Sequence, residues 1–170
     1  IFVNGFNLGK LKARKIPYVR RNIGVIFQDF RLLPKMTVSE NIAFALEVIE
    51  APKKLIRRRT QEVLELVRLS DKGASYPNQL SGGEQQRVSI ARAIVNNPAV
   101  IIADEPTGNL DPDTSWGIMK LLDEINYRGS TIIMATHNKE IVNSRRRRVI
   151  AIEKGTIARD EQRGDYGYED

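Results

Sequence analysis

The chain has no cysteine and only one histidine, His137, in 170 residues. Without cysteine there are no disulfides, and a reducing compartment fits. No apolar run approaches the ~20 residues that a membrane-crossing helix needs. The opening Ile1-Phe2-Val3-Asn4-Gly5 has neither the charged leader nor the apolar stretch of a secretory signal, so the cytosol is the expected compartment. Aromatics make up 6% of the residues. Internal repeats and low-complexity segments are absent as well.

One further absence concerns chemistry. No Gly-x-x-x-x-Gly-Lys-Ser/Thr string occurs, so the chain lacks the loop whose backbone cradles nucleotide phosphates. The nearest imitation, Gly5-Phe6-Asn7-Leu8-Gly9-Lys10-Leu11, is one residue short between its glycines and ends without a hydroxyl. It is not expected to bind phosphate.

What is present is one good core's worth of hydrophobic residues, 41% of the chain, and a net charge of +6. The charge is conspicuous at Arg57-Arg58-Arg59 and Arg145-Arg146-Arg147-Arg148. Neither cluster is interleaved with aromatic side chains, as a base-stacking surface would be. Solvated faces are expected, and no direct contact with nucleic acid.

Along the chain, 1–8 reads as a short strand and turn, and Ile23–Phe27 as a strand after a basic linker holding Pro17. Val38, Asn41, Ile42, Ala45, Leu46 and Ile49 recur at helical spacing. A second helix is expected from about Leu55 to Leu69. Ser81-x-x-Glu84 is a capping box opening a third. Ala99–Ala103 and Thr131–Ala135 read as strands buried on both faces of a parallel sheet. Asp111-Pro112 opens another helix, which Gly129 ends. Lys154-Gly155 marks a hairpin. This alternation predicts an α/β fold with a parallel sheet. Its expected parts are a core of 1–36 and 96–158, an inserted helical subdomain of 37–95, and a tail of 159–170.

Ligands in open α/β sheets lie beyond the carboxyl ends of the strands. Gln28, the pair Asp104-Glu105, and His137 each follow a predicted strand, so they mark one edge. Asp104 is the natural partner of a magnesium ion, which takes carboxylate oxygen and keeps waters. Glu105 is placed to orient and deprotonate a water attacking a γ-phosphorus. Ser81-Gly82-Gly83 at a helix start offers free amides and the positive end of the helix dipole to a phosphate.

Leu80-Ser81-Gly82-Gly83-Glu84-Gln85-Gln86-Arg87 resembles the signature motif of the ABC ATPases. Val100-Ile101-Ile102-Ala103-Asp104-Glu105-Pro106 resembles their Walker B segment. Gln28 is similar to their Q-loop glutamine, Asn109-Leu110-Asp111 to their D-loop, and His137 to their switch histidine. The resemblance covers nearly the whole chain. It implies a P-loop NTPase (RecA-like) nucleotide-binding domain lacking its N-terminal part, with the phosphate loop expected upstream of Ile1 and the 170 residues inactive by themselves. It implies ATP and Mg²⁺ as ligands, with Glu105, His137 and Gln28 catalytic, and Asp104 and Gln28 at the metal. Ser81, Gly82, Gly83, Gln85 and Asp111 would contact nucleotide, Ser81 and Gly83 across a homodimer.

Within the family, Phe27–Pro34, Ala103–Asp111 and Ala135-Thr136-His137-Asn138 are most like cell-division members. Those act with a membrane subunit, at the cytoplasmic face of the membrane, to control peptidoglycan hydrolases. The segment after Gln28, including Phe30, is expected to couple ATP state to that subunit. Lipoprotein-release and macrolide-export members share the middle segment and form the alternative. Nucleic-acid-associated members carry long coiled-coil insertions, which are absent here.

Overall fold

A computed structural model describes residues 1–167. The chain forms two compact units, Ile1–Ala135 and a second from Thr136 onward, each described by itself.

The first unit opens with β1 (Phe2–Val3) and β2 (Phe6–Asn7), an antiparallel pair. Asn4 and Gly5 turn between them with φ of 45° and 79°. Gly5 is therefore a hairpin glycine, and the imitation phosphate loop is a turn. The expected basic linker contains a short helix, α1 (Ile16–Arg21), with Pro17 in its first turn. A missing N–H costs nothing at that position.

Strands β3 (Ile23–Ile26), β4 (Val100–Asp104) and β5 (Thr131–Ala135) form a parallel sheet in the order β3-β4-β5. Between β3 and β4 lie α2 (Val38–Glu47), α3 (Lys53–Leu66) and α4 (Gly82–Ile94). Helix α2 packs on both α3 and α4 through Val38, Ile42, Leu46, Val63, Leu64 and Val88, all buried. Helix α4 also packs on β3, so the helical block continues into the sheet layer. Gly24 makes that approach possible: a Cβ there would stand 2.6 Å from the carbonyl oxygen of Ala93. Helix α5 (Pro112–Tyr127) packs on α4 and β5.

The expectation of strands buried on both faces is corrected here. Ile101 and Ala103 are fully buried, but Ile102 between them is 42% exposed. Val25, Ile102 and Ile133 are register neighbours across the three strands, and the outer two are 39% and 57% exposed. The sheet alternates because the helices cover only the face bearing Gly24, Ile26, Ile101 and Ala103.

The second unit contains α6 (Lys139–Arg145) and an antiparallel hairpin of β6 (Val149–Glu153) and β7 (Thr156–Glu161). Strand β7 runs three residues past the expected boundary at 158, so 159–161 belong to the hairpin; 168–170 lie outside the described residues. Members of both arginine runs form surface ion pairs. Arg148 grips Asp160 with bonds of 2.7 and 2.6 Å, and Arg58 and Arg59 both pair with Glu62.

Candidate active site

Parallel register aligns the carboxyl ends of the three strands, with Asp104 opposite Ala135. Gln28 stands two residues beyond β3, exposed. Its Nε2 donates to Asn109 Oδ1 at 3.4 Å, and Asn109 Nδ2 donates to the Gln28 carbonyl at 3.2 Å. Two loops 81 residues apart in sequence are thereby tied at one edge. Gly108 permits this, since a Cβ there would lie 2.9 Å from Gln28 Nε2.

Asp104 ends β4 with its side chain exposed. Glu105 follows in the left-handed region, at φ 42°. A non-glycine residue is held there only when its surroundings fix it. Its N–H donates to the Ala135 carbonyl at 3.0 Å, and its own carbonyl accepts from Gly108 at 3.0 Å.

The capping box is formed as the sequence predicts. Ser81 Oγ accepts from the Glu84 N–H at 3.3 Å, and Glu84 Oε2 accepts from the Ser81 N–H at 2.8 Å. The Ser81 backbone bond, with Lys72 Nζ 3.6 Å away, holds the Glu84 carboxyl below its ordinary value. Gln85 Nε2 donates back to the Leu80 carbonyl at 3.2 Å and braces the turn.

The signature glycines face the loop after Glu105. A Cβ on Gly82 would meet Leu110 at 3.5 Å and Phe30 at 3.9 Å; one on Gly83 would collide with Thr114 Cγ2 at 2.4 Å. Asp111 caps α5 by accepting from the Thr114 N–H at 3.0 Å, a bond set with Thr114 that holds its carboxyl below the ordinary aspartate value. One of its oxygens is therefore committed to the helix.

His137 belongs to the second unit, exposed, two residues after β5 and just before Asn138, the N-cap of α6. The first unit thus brings together Gln28, Asp104, Glu105 and, through the glycine contacts, the Ser81–Gly83 turn and Asp111.

Two contributors escape a reading of the sequence. Arg92 on α4 donates to the carbonyls of Arg31 and Phe30 at 2.7 and 3.1 Å. Both residues are left-handed, at φ 47° and 58°. The Phe30 ring lies beside Gly82, so that side chain packs within this chain. Gln86, in the apolar interior of α4, bonds the Pro106 carbonyl. A buried glutamine inside a helix leaves no periodic signal.

The family model for the ABC transporter matches residues 2–108. The chain is 66% identical over 167 residues to the cell division ATP-binding protein FtsE of Bacillus subtilis, covering 98% of this chain and 73% of that protein. The chain belongs to the ABC ATPases, among the FtsE proteins. It is also 48% identical to the FtsE of Escherichia coli over 157 residues, covering 92% of this chain and 71% of that one. Among solved structures it resembles a dimeric ATP-binding cassette in a post-hydrolysis state bound to ADP and phosphate. The TM-score is 0.80 at 35% identity, over 97% of this chain and 73% of that one. An FtsE-family chain therefore has the P-loop NTPase fold, here with the strand-end edge and the signature turn joined through residues 106–114.

Proposed function

We propose that this chain is the ATP-hydrolysing subunit of a cell-division transporter-like complex, with Glu105 as general base and Asp104 and Gln28 at a magnesium ion. Family membership supports ATP hydrolysis, and identity to FtsE proteins of 48–66% favours cell division over the exporter reading. The observation that carries the residue assignment is the tie between Gln28 and Asn109. With its nitrogen committed to Asn109, the Gln28 carboxamide oxygen is the atom left for a cation.

The donor set fits magnesium. Among the described residues no group of three or more His, Cys, Asp or Glu could form a protein cage. Magnesium instead takes one or two protein oxygens plus phosphates and waters. Asp104 and Gln28 would hold it at the strand edge. When bound, the ion neutralises charge on the β- and γ-phosphates. Glu105, fixed by its backbone just beyond Asp104, accepts the proton of the attacking water. For His137, in the second unit, the γ-phosphate role rests on its resemblance to the family's switch histidine. The Ser81–Gly83 turn, with Gln85 behind it, presents its amides to the nucleotide of a second copy, in keeping with the dimeric cassettes this chain resembles. Asp111, which caps α5 with one oxygen, would reach the nucleotide with the other.

The partner we assign is the membrane subunit FtsX, met at the cytoplasmic face of the membrane through the segment after Gln28. No described helix is long and apolar enough to cross a membrane. The test of the chemistry is magnesium-dependent phosphate release, with a phosphate loop supplied upstream of Ile1. Asp104→Asn should lower turnover and raise the magnesium concentration needed. An unchanged magnesium dependence contradicts the assignment.

A further inference from the structure

Gln86 sits in the second turn of α4 with no exposed surface. Its Nε2 donates to the carbonyl oxygen of Pro106 at 2.7 Å, and its Oε1 has no hydrogen-bond partner. A half-satisfied buried carboxamide is costly, and an apolar side chain of the same volume would remove that cost. The explanation lies in what the amide holds. Pro106 has no N–H, so its carbonyl is that residue's one backbone polar handle. It directly follows Glu105, whose left-handed backbone needs fixing on both sides. On the preceding side the Glu105 N–H is anchored to Ala135 at 3.0 Å. On the following side the Glu105 carbonyl accepts from the Gly108 N–H at 3.0 Å, and Gln86 anchors the next carbonyl, that of Pro106.

We propose that Gln86 is a positioning residue: through the Pro106 carbonyl it sets the backbone, and so the aim, of Glu105. Because Gln86 lies on the helix that begins with the signature turn, the same bond links that turn to the base within one chain. A shift of α4 is passed to Glu105 directly. The inference rests on the reading of Glu105 as base.

The experiment compares Gln86→Met, Gln86→Leu and Glu105→Gln, singly and as the Gln86→Met/Glu105→Gln pair, with a phosphate loop supplied upstream of Ile1. Gln86→Met keeps volume and removes the donor. Thermal stability should hold, the ATP KM should stay within about twofold, and kcat should fall about tenfold or more, the signature of a lost transition-state contribution. In the Glu105→Gln background the Met replacement should cost nothing further, since both act through one group. Should Gln86→Met unfold, Gln86→Leu decides by the same split; unfolding of both shows a merely structural role and overturns the proposal. So does an unchanged kcat, a loss confined to KM, or full additivity. If Glu105→Gln itself keeps near-normal turnover, the base reading fails; if Glu105→Gln is inactive while Gln86→Met is not, only the positioning role fails.

Discussion

Gln28 and Asn109 bond reciprocally: the side-chain amide of Gln28 donates to the Asn109 side chain, and the Asn109 amide donates to the Gln28 backbone, at 3.4 and 3.2 Å. The position of Gln28 is therefore tied to the loop that carries Gly108 to Asp111. Asn109→Ala removes both bonds. Because the pair is exposed, stability should change by less than about 1 kcal/mol. ATP turnover should nevertheless fall several-fold. Chemical denaturation and phosphate release, measured on the same preparation, check the split; parallel losses in both would mean the pair serves folding alone.

Gly83 is fixed by space rather than by backbone angle. An added Cβ would lie 2.4 Å from Thr114 Cγ2, a short branched side chain with little freedom to move. Gly83→Ala should destabilise the chain by about 1–3 kcal/mol, the usual range for overpacking. Thr114→Ser deletes the offending methyl and keeps the hydroxyl. The double variant should recover most of the lost stability, a coupling readable in a double-mutant cycle from denaturation midpoints. Independent, additive effects would show that the two helix starts do not press on each other.

The Glu84 carboxyl is held below its ordinary value chiefly by the Ser81 N–H. A depressed carboxylate stabilises the fold above its unfolded pKa, and that contribution is lost as pH falls through the carboxylate range toward the folded value. Wild type should therefore melt above Glu84→Gln at pH 7, and the gap should close as pH drops from about 5 toward 3. Melting temperatures across that series decide the matter; a gap independent of pH would assign the cap to hydrogen bonding without charge.

Much of this was legible from residue type and spacing. Ser81-x-x-Glu84 and Asp111-Pro112 marked helix starts that form where expected, because capping is a local event. The ends of β3 and β4 place Gln28, Asp104 and Glu105 at strand termini. Ile102 and Ile133 are exposed in this chain because none of its described helices covers that face of the sheet, which an apolar run does not reveal. Gln86, Arg92 and the Gly83–Thr114 contact were invisible for a related reason. Each joins segments distant in sequence, and their meaning comes from tertiary packing. Pro17 falls in what reads as a basic linker, yet it lies in the first turn of α1, since proline in a first turn and proline in a linker look alike in sequence.

Glu105 is proposed to take the proton of the attacking water. Glu105→Gln keeps the shape of the side chain and removes its basicity. With a phosphate loop supplied upstream of Ile1, ATP hydrolysis and dimer content should be followed together under saturating ATP and magnesium. ATP should still bind, turnover should fall by about 100-fold or more, and ATP-bound dimers should accumulate. Turnover within a few-fold of wild type, with no persistent dimer, would contradict that role.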